Sequence, residues 1–216
     1  MRSVAGMVAT LAAALASVGD LLLLAIGDGL PPAYMTGGVL HPAMLVAAYY
    51  LGVLAIPLYA LGYWHVARRL PLPYGRVVTA LGVCGAIVGA VIHAVTGVAV
   101  AVLAATPAGS GGVAALQPFA AYLVPLWTIV AVATLVGSAA FAIPVLRGES
   151  PYPRWMALAN PAVGMLVISA CAVVAPNAAP LVVPASPNLA HVIFFALTAS
   201  GRNPPPADET GEQRAG

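Results

Sequence analysis

The stretch "RVVTALGVCGAIVGAVIHAVTGVAVAVLAA" (76–105) holds no Lys, Arg, Asp or Glu beyond Arg76. About 20 apolar residues are enough to cross a hydrocarbon core about 30 Å thick, so this run reads as a membrane span. The rest of the chain agrees. Hydrophobic residues make up 62% of its 216 residues, charged residues only 6%, and the mean hydropathy is +0.99, a composition that no water-facing surface could cover. An all-α, polytopic membrane protein follows.

Working outward, further apolar segments fall at 4–27, 40–64, 117–146, 155–175 and 180–201, making a bundle of about six spans in residues 1–201. Turn-rich stretches separate them: "DGLPPAYMTGG" (28–38), "ARRLPLPYG" (67–75), "TPAGSGG" (106–112), "RGESPYP" (147–153) and "APNAAPLVVPASP" (175–187). The tail within 202–216 is Pro-rich and polar with no apolar face, which predicts a disordered segment. A signal peptide ending at "ALA" (14–16) is a rival reading of the start, opposed by an apolar run that continues to Ile26.

The arginines set the expected orientation. Arg2, the Arg68, Arg69 and Arg76 group, Arg147 with Arg154, and Arg202 with Arg214 lie at alternate connections, so both termini are expected on the cytoplasmic side of the membrane. All basic residues are Arg, which excludes lysine-imine chemistry such as a retinal Schiff base. Nucleic-acid binding has no support, because topology accounts for these few cations. Cys84 and Cys171 fall at different depths, which argues against a disulfide.

Four polar side chains share the outer half of four spans: Asp20, His41, His93 and His191; His65 lies at the cytoplasmic end. Ala13, Ala16, Ser17 and Asp20 follow helical spacing, as do Gly85, Gly89, His93 and Gly97, and small-residue stripes of this kind face other helices. Asp20 and His93 therefore point inward. "SPNLAHVIFF" (186–195) suggests a helix start with Ser186 as N-cap and Pro187 as first residue, putting His191 one turn in and Asn188 beside it. Pro57, Pro125, Pro144 and Pro161 are candidate kinks.

An ionisable residue at this depth is a candidate for function, and equally for a structural hydrogen bond between helices. Desolvation favours the neutral acid, which makes Asp20 a candidate proton donor, with His93 and His191 as hydrogen-bond partners. Tyr49, Tyr50, Phe119, Tyr122 and Trp127 are candidate walls whose rings could stabilise a passing cation, with His41 and Asn188 completing the substrate-binding set. These residues suit protonation of an olefin or epoxide on a lipophilic substrate, provided a partner stabilises the carboxylate left behind. Two other readings stand beside it: a non-enzymatic binder or carrier of a lipophilic molecule, and a metal-dependent enzyme built on the Asp and His residues. No HxxxH or HExxH spacing supports a metal, and no DDxxD run or Gly-rich phosphate loop occurs, so no cofactor is expected.

The segments "GDLLLL" (19–24), "LGYWHVARRL" (61–70), "YPRWMALANPAV" (152–163) and "NLAHVIFFALT" (188–198) together resemble a largely uncharacterised bacterial family of small six-helix membrane proteins. More distantly, size, span number and a membrane acid resemble the integral-membrane terpene cyclases of indole-sesquiterpenoid and fungal meroterpenoid pathways. That second resemblance implies protonation of a terminal olefin or epoxide on a prenylated substrate and ring closure without metal or diphosphate loss. The fungal enzymes use acids from two helices, whereas here Asp20 is the only acid well inside a span and Asp28 lies at its end.

Overall fold

A computed structural model describes residues 3–25, 42–105 and 112–200; Asp28, His41 and the tail 202–216 lie outside them. Every element among the described residues is helical. Helix α1 (Val4–Asp20) starts where Ser3 Oγ accepts the Gly6 N–H at 3.4 Å, and it continues into a single π-helical turn, Leu21–Ala25. The second rod consists of α2 (Pro42–Ala55) and α3 (Tyr59–Ala67), joined by a 3-10 turn at Ile56–Leu58. Then come α4 (Leu72–Ala105), α5 (Gly112–Arg147), α6 (Pro161–Val174) and α7 (Ala179–Ser200).

Five of these six rods are long and apolar enough to span a membrane. The segment expected to span from 155 to 175 differs. It divides into a 3-10 turn, Arg154–Leu158, and the 14-residue α6, which at 1.5 Å per residue is about 21 Å long. Pro161 disfavours a helical residue before it, and Asn160 Oδ1 accepts the Val163 N–H at 3.0 Å, so the helix begins afresh at that point.

The prolines act unequally. Pro57 sits in the 3-10 break of the second rod, whereas Pro125 and Pro144 lie within an unbroken α5. The expected start at Ser186 and Pro187 is also corrected: α7 begins at Ala179 and runs through Pro184 and Pro187. In apolar surroundings the remaining helical hydrogen bonds outweigh the few that proline removes.

Small residues bring the rods together. Gly6 lies against Ala199, Gly62 against Ala9 and Gly164 against Ala190, each too closely to admit a Cβ. The rods form a ring: α1 sits between the second rod and α7, α4 packs on the second rod, α5 on α4, and α6 on α7. Helices α5 and α6 touch sparingly, joined where the Ala162 N–H donates to Ser138 Oγ at 3.2 Å. The Ser3 N–H reaches the Ala199 carbonyl at 3.5 Å, so the start of α1 and the end of α7 share one end of the bundle. Arg68, Arg69, Arg76, Arg147 and Arg154 belong to that same end, where the Arg68 guanidinium lies 4.9 Å from the centre of the exposed Trp64 ring. Outside the spans, burial pushes the Tyr152 phenol up to about 12 against the opposing charge of Arg69. Cys84 and Cys171 are both free.

Candidate functional site

The site grows from the small-residue face of α1. Ala9, Ala13, Ala16 and Ser17 are buried, which lets neighbouring backbones approach and carries Asp20 into the ring's interior, where it too is buried. Asp20 is the last α-helical residue before the π turn, a local widening often found at functional sites.

Three helices meet its carboxyl group. Asp20 Oδ1 lies 3.2 Å from His93 Nδ1 on α4, and the Asn188 Nδ2–H on α7 donates to Asp20 Oδ2 at 2.6 Å. His93 is held at its other end by the Ala48 carbonyl on α2, 3.0 Å from Nε2. Its ring occupies space that Gly52 leaves vacant: a Cβ there would overlap the imidazole.

These contacts restrict where protons can be. A carbonyl only accepts, so His93 Nε2 carries hydrogen toward Ala48. Asp20 Oδ2 accepts from Asn188. A single proton then lies between Asp20 Oδ1 and His93 Nδ1: held by the acid the pair is neutral, held by the ring it is an ion pair. A second proton would give an imidazolium beside a neutral carboxylic acid, and the adjacent cation would stabilise the carboxylate formed when that acid gives its proton away.

The network extends through residues the sequence reading did not single out. The Tyr59 hydroxyl donates to Asn188 Oδ1 at 2.6 Å, and Tyr63 OH lies 2.6 Å from His191 Nε2. His191 Nδ1 is 2.7 Å from the Pro187 carbonyl, so Nδ1 donates and, in the neutral ring, Nε2 accepts from Tyr63. His191 is thus not a partner of Asp20; it packs beside the Tyr59 ring with centroids 4.9 Å apart. The signal that could have revealed the tyrosines is their spacing. Tyr59 and Tyr63 stand one turn apart on α3, facing Asn188 and His191 one turn apart on α7.

The ring of helices encloses a cavity bordered by Asp20, His93, Tyr59, Tyr63, Asn188 and His191, with an otherwise largely apolar lining from α4, α5 and α7. The cavity volume is about 110 Å³. Of the expected aromatic wall, Trp127 borders the cavity. The structure does not bring Tyr49, Tyr50, Phe119 or Tyr122 to it. Tyr49 packs on Gly97 and edge-to-face on Tyr50, while Tyr50 and Tyr122, 54% and 70% exposed, face the surroundings of the bundle. Successive helical residues are separated by about 100°, so a side chain adjacent to an inward one readily points to lipid. His41 lies outside the described residues.

Both ring nitrogens of His93 and of His191 already have hydrogen-bond partners, leaving neither imidazole a free nitrogen for a cation. Among the described residues no three His, Cys, Asp or Glu side chains group as metal ligands.

No curated protein and no solved structure matches the chain. The resemblance to terpene cyclases therefore has no match behind it. A family model does match residues 2–201, and the chain belongs to that family, DUF6796, a family of unknown function.

Proposed function

We propose that the protein is a membrane-embedded isomerase or cyclase that protonates an olefin or epoxide on a prenylated, lipophilic substrate. Asp20 is the proton donor. His93 acts through Asp20 as a positioning residue, and Asn188, itself held by the Tyr59 hydroxyl, holds the second carboxyl oxygen. The observation that carries this reading is the buried Asp20–His93 pair on the wall of a largely apolar cavity.

The chemistry balances without a co-reactant. With His93 as the imidazolium, Asp20 transfers its proton to the substrate, an epoxide carbon–oxygen bond opens or an olefin becomes a carbocation, and the carboxylate left behind is stabilised by the His93 Nδ1–H and the Asn188 N–H. The cation is discharged by a new double bond or by attack of a substrate nucleophile, and the proton released returns to Asp20. The product has the mass of the substrate. Tyr59, Tyr63, Phe194 and Trp127 offer ring faces to positive charge along the cavity. No metal or redox partner takes part in this scheme. We place the protein in a bacterial cell membrane, and the excess of arginine at one end supports an orientation with both termini cytoplasmic.

Membranes containing the protein, incubated with prenylated indoles, quinones or farnesyl compounds, should yield isomers of unchanged mass by mass spectrometry. Asp20→Asn should abolish them. Unchanged product formation by that variant refutes the assignment of the acid, and binding without product in the wild type assigns a carrier instead.

A further inference from the structure

The cavity lining is elongated, and buried aromatic rings close it at one end. On α4 its lining runs from Val78 through Gly85 and His93 to Thr96, 18 residue steps that span about 27 Å at the helical rise. On α5 it runs from Trp127 to Phe141, about 21 Å by the same measure. A lining drawn from several turns of two neighbouring helices describes an elongated bore. At the arginine-bearing end the floor is sealed: Val78, Phe141 and Phe194 are each 1% exposed, and the two phenylalanine rings meet edge to face at 5.1 Å. At the other end, among the described residues, Thr96 and Pro184 are partly exposed and Trp127 is 44% exposed.

The acid pair lies near this more exposed end. From His93 to Val78 the depth is about 22 Å, whereas one leaflet contributes about half of a 30 Å hydrocarbon core. The lining below the acid is therefore long enough to accompany one extended lipid chain. Glycine sets the width of the bore. A Cβ at Gly85 would meet nothing within 4 Å, so at this lining position the lumen exists because the side chain is absent.

We propose that the cavity takes a single linear hydrocarbon chain, acyl or prenyl, tail first, with its end on the Phe141–Phe194 floor and its head group beside Trp127. Resting on the reading of Asp20 as proton donor, this places the reacting double bond or epoxide next to the head group, not at the chain's tail. It favours isomerisation or ring closure at that position over a cascade begun from the tail.

The test uses the full chain in detergent with graded series of n-alkyl alcohols and linear prenyl alcohols, reading retained ligand by native mass spectrometry. Wild type should show a ceiling in retained chain length, and Asp20→Asn should show the same one. Gly85→Phe should move the ceiling to chains roughly half as long, since Gly85 lies about 12 Å below His93 along α4. Longer chains should lose about tenfold or more in retention, as expected for forcing atoms into filled space. Gly85→Ala, which adds one methyl to open space, should shift it less and guards against a misfolded Phe variant. Preference for one series identifies the chain as prenyl or acyl, and either result agrees with the bore. Absence of a ceiling in wild type, or a ceiling unmoved by both Gly85 variants, overturns the proposal. Product formation by Asp20→Asn with the ceiling intact overturns only the catalytic reading.

Discussion

Replacing Asp20 by asparagine should leave stability nearly unchanged, whereas replacing it by alanine should lower it. The carboxyl group makes two contacts between helices, His93 Nδ1 at 3.2 Å and Asn188 Nδ2 at 2.6 Å. In the one-proton, neutral form Asp20 donates at the first and accepts at the second. A carboxamide does the same: its NH₂ donates to His93 Nδ1 and its oxygen accepts from Asn188. Asp20→Asn should therefore change stability by less than about 0.5 kcal/mol, the scale of a substitution that disturbs no packing or bonding. Asp20→Ala removes both contacts, and interhelical hydrogen bonds in membranes are worth about 0.6 to 1.7 kcal/mol each, so its cost should be about 1 to 3 kcal/mol. For a chain of this length that lowers the melting temperature by roughly 2 to 12 °C. Thermal unfolding in detergent with the three proteins side by side is the assay. Equal destabilisation by both variants would refute the neutral pair, because an imidazolium cannot accept from the amide and would lose its counter-ion. Nitrogen chemical shifts of His93 provide an independent check, with Nδ1 expected as an acceptor in the asparagine variant.

Other expectations follow from neighbouring contacts. Gly52→Ala should drive the His93 ring off its seat; overpacking of this kind costs about 1 to 3 kcal/mol. If the proposed chemistry holds, the same shift should lower turnover about 100-fold, the effect of a displacement near 1 Å. Tyr59→Phe frees Asn188 Oδ1 and should weaken the hold on Asp20, seen as slower turnover with little change in chain retention. Tyr63→Phe leaves His191 Nε2 without its donor and should cost about 1 kcal/mol in detergent unfolding while sparing the Asp20 contacts. A Tyr63→Phe protein that loses those contacts would show that the two polar groups are coupled after all.

The membrane class, the approximate number of rods and the inward faces of Asp20 and His93 were all legible in the sequence. Apolar length sets whether a segment can cross a bilayer, and small residues at helical spacing mark the face that meets another helix, so both are local properties of the chain. The break before α6 was harder to place, because Asn160 and Pro161 end one helical stretch inside an apolar run that has no other punctuation. The wall was misjudged at Tyr49 and Tyr50 for a related reason: aromatic content reveals depth, but not which side of a helix faces the interior. What only the tertiary structure decided was partnership. Asp20 and Asn188 are 168 residues apart, and Tyr59 and Asn188 are 129 apart. Their meeting depends on the order of rods around the ring, which close glycine and alanine contacts between distant segments select. The bore likewise belongs to no segment, since it is the space left when six rods close around side chains too small to fill it.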